Sequence, residues 1–250
     1  PLSPIVFEMP EFPAPCKLRL IVQLREAATE FTVTNDWDLW AYPNRALHEE
    51  EAGGFSLGVH DPGDSLSLLV QYPWAKPLQK EVGAGDTGTP SVVISTEWNQ
   101  ELEAYARAGA RVLYVGHQEV LYPIKPGGFN AYSYAVVPEP HDAMGGFPHD
   151  GYSDLQFLEL ASTYYMDTKI PSWESVEDKP PEAPPILARI DLRSYAAGAY
   201  IAERKMGDGL VLQTTLTHGG GNASGRYLLD QLLRYMIRPG SANNTVPPNT

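Results

Sequence analysis

The stretch from Ile94 to Val115 constrains the fold more than any other. Ser91-Val-Val-Ile-Ser95 and Arg111-Val-Leu-Tyr-Val115 are short apolar runs closed by turn residues, the pattern of strands buried on both faces. Between them Asn99 can cap a helix running Gln100 to Ala108. Leu102, Tyr105 and Ala106 fall on one face of it, and Gly109 stands where it would end. Strand, helix and strand in that order imply a parallel connection and a doubly wound α/β layer. Leu66-Ser-Leu-Leu-Val70 and Leu210-Val-Leu-Gln-Thr-Thr-Leu216 are expected as further buried strands, with Ile186 to Ile190 as another. A helix from Ser224 through Met236, with Leu228, Leu229, Leu232 and Leu233 at helical spacing, closes the layer. The expected fold class is therefore α/β, with a mostly parallel, doubly wound sheet.

Residues 1–43 read differently. After a Pro-spaced lead, Leu18, Leu20, Val22 and Leu24 alternate with Arg19 and Gln23, and β character continues through Phe31, Val33, Trp37, Leu39 and Trp40. Two or three strands leave their apolar face wet, so this short β segment needs something to dock on. Residues 44–239 form the α/β domain and 240–250 a tail. The middle, about 117 to 185, reads as loop, because Pro123, Pro126, Gly127, Gly128, Pro138 and Pro140 interrupt regular elements. A helix is expected over Asp154 to Ala161, a polyproline connector over Asp178 to Pro185, and an irregular segment around Tyr195 to Tyr200.

Charge and cysteine content exclude several functions. Eighteen basic against 31 acidic side chains give a net charge of −13, which opposes nucleic acid and anionic membrane partners and leaves a neutral polysaccharide unaffected. No apolar run approaches the ~20 residues of a membrane span. The lone Cys16 excludes an intrachain disulfide, a CxxC redox pair and a cysteine-built zinc site. A start at Pro1 is expected of a mature chain or of part of a longer one. Asn222-Ala-Ser and Asn243-Asn-Thr match the glycosylation sequon, and an extracellular location is expected.

Ligands of open parallel sheets collect beyond the carboxyl ends of the strands. Here those ends are followed by Thr96, Glu97, Trp98 and Asn99, by Gly116, His117 and Gln118, and by Thr217, His218 and Gly219 to Asn222. They form a polar rim with one carboxylate and two imidazoles, although caps and turns use the same residue types. His218 to Gly225 matches no phosphate-loop pattern. His141, Asp142, His149, Asp150 and Asp154 cluster in sequence without the spacing of a metal motif, so neither metal nor cofactor is expected. GxSxG is absent. For glycoside hydrolysis, which needs two carboxylates about 5 to 9.5 Å apart, Glu97 is the best single candidate, with an Asp of the 142–154 loop as its second, although 31 acidic residues make some coincidence expected. Loop aromatics are candidates for stacking on sugar faces: Trp98, Phe129, Tyr132, Tyr134, Phe147 and Tyr152, joined by His149. Core packing is the alternative use of each.

Three segments, taken in order, resemble a known family. Thr34-Asn-Asp-Trp-Asp-Leu-Trp-Ala-Tyr-Pro43 looks like the exit from an immunoglobulin-like domain in large glycoside hydrolase family 2 proteins. His141-Asp-Ala-Met-Gly-Gly-Phe-Pro-His-Asp-Gly-Tyr-Ser-Asp-Leu-Gln-Phe157 is similar to part of the domain that follows it. Gly207 to Leu216 and Gly225 to Tyr235 resemble that domain's last strand and helix. The resemblance implies a flavodoxin-like, class I amidotransferase-like domain after the end of an Ig-like sandwich. It implies an accessory, carbohydrate-binding module whose partners are an oligosaccharide or polysaccharide and the other domains of a parent glycosidase. The chain lacks the nucleophile-elbow cysteine of active amidotransferases and the Asn-Glu acid/base context of the family's barrel, so no catalytic residue is assigned. A free-standing hydrolase using Glu97, or a spacer without ligand, are the alternatives.

Overall fold

The computed structural model describes residues 6, 8–78, 90–127, 134–151, 154–171, 185–192, 196–219 and 221–238. It divides into two compact units, Pro1–Arg45 and Ala46–Thr250.

The first unit is an antiparallel ribbon of β1 (Cys16–Arg25) and β2 (Thr32–Ala41), with Leu20 opposite Trp37. Period-two alternation sends Leu18, Leu20, Val22 and Leu24 to one face with Leu39, Trp37 and Val33. The other face carries ion pairs from Arg19 to Asp36 at 2.7 Å and Lys17 to Asp38 at 3.0 Å. Leu20, Leu24, Val33, Trp37 and Leu39 are exposed, as expected when only two strands share an apolar face.

The second unit runs β3 (Leu57–His60), α1 (Leu68–Gln71), β4 (Lys76–Pro77), β5 (Val92–Ser95), α2 (Gln100–Arg107), β6 (Arg111–Val115), β7 (Ile124–Pro126), β8 (Tyr134–Pro138), α3 (Gln156–Leu160), β9 (Tyr164–Pro171), β10 (Pro185–Asp191), β11 (Ala196–Met206), β12 (Gly209–Thr214) and α4 (Ala223–Ile237). Ten described strands form one sheet, ordered β4-β3-β5-β6-β12-β11-β10-β8, with β9 on β11 and β7 on β9. Pairs from β4 to β12 are parallel. All pairs beyond β12 are antiparallel.

This mixed, mostly β sheet overturns the expected doubly wound, mostly parallel, flavodoxin-like fold. The β5-α2-β6 unit is present, with β5 and β6 parallel neighbours and Asn99 Oδ1 accepting from Leu102 N–H at 2.9 Å. The error lay in extending that unit to the whole chain. The middle segment holds β7, β8 and β9, each ending in proline, which blocks further pairing but not the strand before it. Of the segment read as irregular around Tyr195 to Tyr200, Ala196 to Tyr200 belong to β11, which has 11 residues, and Tyr195 lies outside the described residues. Its small Ala and Gly residues leave a weak hydrophobic pattern, yet Ala199 and Ala202 are buried in the core. Leu66 to Val70, expected as a strand, turns into α1, and Val70 is 80% exposed.

Core packing explains why the parallel half is regular. Val93, Val112 and Val211 meet Leu102 and Ala106 of α2 on one face. Alternation directs Val92, Ile94 and Leu113 to the other face, and α4 packs against β5 and β6. Asp230 of α4 is 3% exposed and accepts from Leu47 N–H at 2.6 Å and Arg234 Nε at 2.7 Å. Arg234 also pairs with Glu51 at 2.9 Å, so the chain leading into β3 is tied to α4. Asn222 caps α4 through Oδ1, which accepts from Gly225 N–H at 3.0 Å, while Nδ2 donates to the Glu159 carbonyl at 3.2 Å. The first sequon asparagine is therefore used as a helix cap. Asn243, the expected tail and the connector before Pro185 lie outside the described residues.

Candidate functional site

Four parallel strands end side by side, and the loops after β3, β5, β6 and β12 line an open cavity of about 600 Å³. Ser65 and Leu66 line it from the first loop, Thr96 from the second, Tyr114 to Gln118 from the third, and Leu216 to Gly219 from the fourth. The described lining contains no Asp, Glu, Lys, Arg or Cys.

The first loop is shaped by Asp61. Its carboxylate accepts from Thr96 Oγ1 at 2.8 Å, Ser65 N–H and Oγ at 3.0 Å, and Leu66 N–H at 3.1 Å. Burial works to raise its pKa, but these donors outweigh burial and hold the carboxyl below its ordinary value. Asp61 is thus a structural anion that binds the β3 loop to the β5 loop.

The wall after β6 is built around Gln213, a fully buried side chain on β12. Its Nε2 donates to the Gly116 carbonyl at 3.3 Å and the Gln118 carbonyl at 2.8 Å, and its Oε1 accepts from Leu121 N–H at 3.1 Å. Three backbone groups of one loop are satisfied by a single amide, which fixes how the loop presents His117 and Gln118. Gln118 N–H donates to the Tyr114 hydroxyl at 3.0 Å, and that hydroxyl donates to Gln118 Oε1 at 3.2 Å. Oε1 also accepts from Trp98 N–H at 2.6 Å, so Gln118 Nε2 remains a donor with no partner among the described residues. A Cβ at Gly116 would collide with the Tyr114 ring, so this turn requires glycine. Burial raises the Tyr114 phenol pKa, the Gln118 N–H opposes that, and the nearby Glu97 carboxylate adds to the rise.

His117 and His218 both line the cavity, with different freedom. His117 is exposed, and its Nε2 lies 3.2 Å from the Thr215 carbonyl. A carbonyl can only accept, so Nε2 carries a proton; Nδ1, the acceptor of that tautomer, has no partner among the described residues. His218 is 3% exposed, with Nδ1 2.9 Å from the Gly225 carbonyl and Nε2 3.0 Å from Thr214 Oγ1. By the same logic Nδ1 donates, and Nε2 accepts the Thr214 hydroxyl proton. Burial lowers the His218 pKa to about 4, with the bond to Gly225 opposing the fall. Both His218 nitrogens are engaged within the fold, and the ring pins the β12 loop onto the first turn of α4.

The other sequence candidates are dispersed. Glu97 is exposed on the β5 loop and is absent from the lining. Trp98 packs against the α2 side of the core and stands edge to face with Tyr114 at 5.7 Å. Phe147 is buried between Phe157 and Tyr227, at 5.7 and 6.4 Å. His149 accepts from Gly151 N–H at 3.2 Å, away from the lining. Tyr134 opens β8, while Phe129, Tyr132 and Tyr152 lie outside the described residues. Asp154 accepts from Gln156 N–H and Nε2, and neither it nor Asp142 or Asp150 reaches the cavity. Among the described residues, no three His, Cys, Asp or Glu side chains come together as a metal site. No helix among them is long and apolar enough to cross a membrane.

Asp61, Gln213, Thr214 and Tyr164 escaped the sequence reading. For Gln213 and Thr214 a signal existed: polar residues inside the apolar run 210–216 must find partners when that strand is buried.

No family model matches the chain, and no curated protein matches it. Among solved structures it aligns with a cold-adapted β-galactosidase from Rahnella sp. R3, a glycoside hydrolase. The TM-score is 0.32 at 11% identity, over 64% of this chain and 25% of that enzyme. The alignment thus spans a quarter of the enzyme's length, and at this TM-score it establishes no shared fold or activity.

Proposed function

We propose that this chain is a non-catalytic, carbohydrate-binding accessory module of a multidomain glycoside hydrolase, acting in an extracellular setting. The observation that carries the binding reading is the uncharged cavity lining at the strand ends. Gln118 Nε2, His117 Nδ1 and the Thr217 hydroxyl offer a donor, an acceptor and a group that is both, without partners among the described residues. Leu66, Val115 and Leu216 offer apolar surface. A neutral sugar needs that combination, because hydroxyls seek hydrogen bonds while the C–H face of the ring seeks apolar contact. The absence of a carboxylate from the described lining supports binding without hydrolysis, since glycoside cleavage uses two. The glycosidase setting rests on the three resembling sequence segments.

Calorimetric titration with neutral mono- and oligosaccharides, alongside an assay for reducing-sugar release, tests this reading. Binding without release, weakened by Gln118→Ala and Thr217→Ala, is the expected result. Release that vanishes in Glu97→Gln makes the chain a hydrolase instead, and silence toward every sugar makes it a spacer.

A further inference from the structure

Tyr164 opens β9 and does not line the cavity, yet its ring lies against His117, which does. The ring centroids are 4.7 Å apart with planes tilted 33°, and Tyr164 is 41% exposed. The backbone that carries the ring is held from both sides. The Ser162 hydroxyl donates to the Tyr164 carbonyl at 2.7 Å and accepts from its N–H at 2.9 Å, while Tyr164 pairs with Pro126 of β7. Four residues earlier, the Leu160 carbonyl accepts from Thr217 N–H of the cavity wall at 2.8 Å. His117 is fixed in turn by its bond to Thr215. The two rings therefore form a packed ledge beside the cavity.

An exposed aromatic ring that already packs against a neighbouring ring suits the apolar side of a sugar ring, because part of its side-chain freedom is given up before contact is made. We infer that the His117–Tyr164 ledge is a second sugar subsite, and that the ligand is a disaccharide or longer, with one ring in the cavity and the next on Tyr164. This rests on the carbohydrate reading above and adds the ligand's minimum length and a residue that selects for it.

Calorimetric titration of the full chain with matched pairs tests it: galactose against lactose, glucose against cellobiose, and mannose against β-1,4-mannobiose. In the pair that binds, the disaccharide is expected to bind about tenfold more tightly than its monosaccharide. Tyr164→Ala removes that gain and leaves monosaccharide affinity within about twofold, while Tyr164→Phe keeps it. Equal affinity for both members of the pair in the unaltered protein overturns the subsite, whatever the variants do. An equal loss for both sugars in Tyr164→Ala overturns it too, since Tyr164 would then act only by propping His117. If none of the six sugars binds, the carbohydrate reading falls and takes the subsite with it, whereas failure of the length preference alone leaves that reading standing.

Discussion

Acidification from pH 7 to 5 is expected to destabilise this protein through the His218 ring. In the fold His218 is neutral, enclosed and held by Thr214 and Gly225, with its pKa lowered by burial to about 4. In the unfolded chain it takes up a proton near the ordinary value of 6.5. A folded-state pKa below the unfolded one gives a stability contribution that is complete above pH 6.5, falls as pH drops, and levels off near pH 4. Integrating one proton between pH 7 and 5 gives a loss of about 2 kcal/mol, or a fall in Tm of about 4–8 °C for a unit of this size. Thermal or urea denaturation at half-unit pH steps measures it, with His218→Gln as the comparison. The variant starts out less stable, because one amide cannot replace both ring contacts. Its stability should nevertheless vary less with pH, since carboxylates common to both proteins cancel in the difference. Parallel pH profiles for the two proteins would refute the assignment of a neutral, sealed imidazole.

Three further outcomes follow from the same network. Gln213→Leu keeps the bulk but leaves the Leu121 N–H and the Gly116 and Gln118 carbonyls without their partner. It should cost about 2–4 kcal/mol in urea denaturation and speed amide exchange at Leu121 above that at Val112 and Leu113. Asp230→Ala leaves the buried Leu47 N–H unsatisfied and removes one of two carboxylates from Arg234. A loss of about 3 kcal/mol is expected, and an unchanged denaturation midpoint would remove Asp230 from the account of how residues 46–52 are anchored. Asn222→Ala deletes the α4 cap and should cost about 1 kcal/mol.

Periodicity and capping chemistry were legible in the residues alone. Asn99, Gly109 and the apolar runs at 92–95 and 111–115 specified β5-α2-β6, and the leucines at 228, 229, 232 and 233 specified α4. These signals are local, so a single sequence displays them. The position of the candidate cavity was also legible, since parallel strands bring their following loops to one end. What only the tertiary structure decided was the direction of the remaining strands and the use of each polar group. Nothing local distinguishes a parallel from an antiparallel partner for β10 or β11, because strand direction is set by pairing across distant residues. Likewise His117 and His218 look alike in sequence, each following a buried strand. One keeps a nitrogen without a partner among the described residues, beside Tyr164, and the other is closed between Thr214 and Gly225, a difference created by the packing of α4 and β9 around the strand ends.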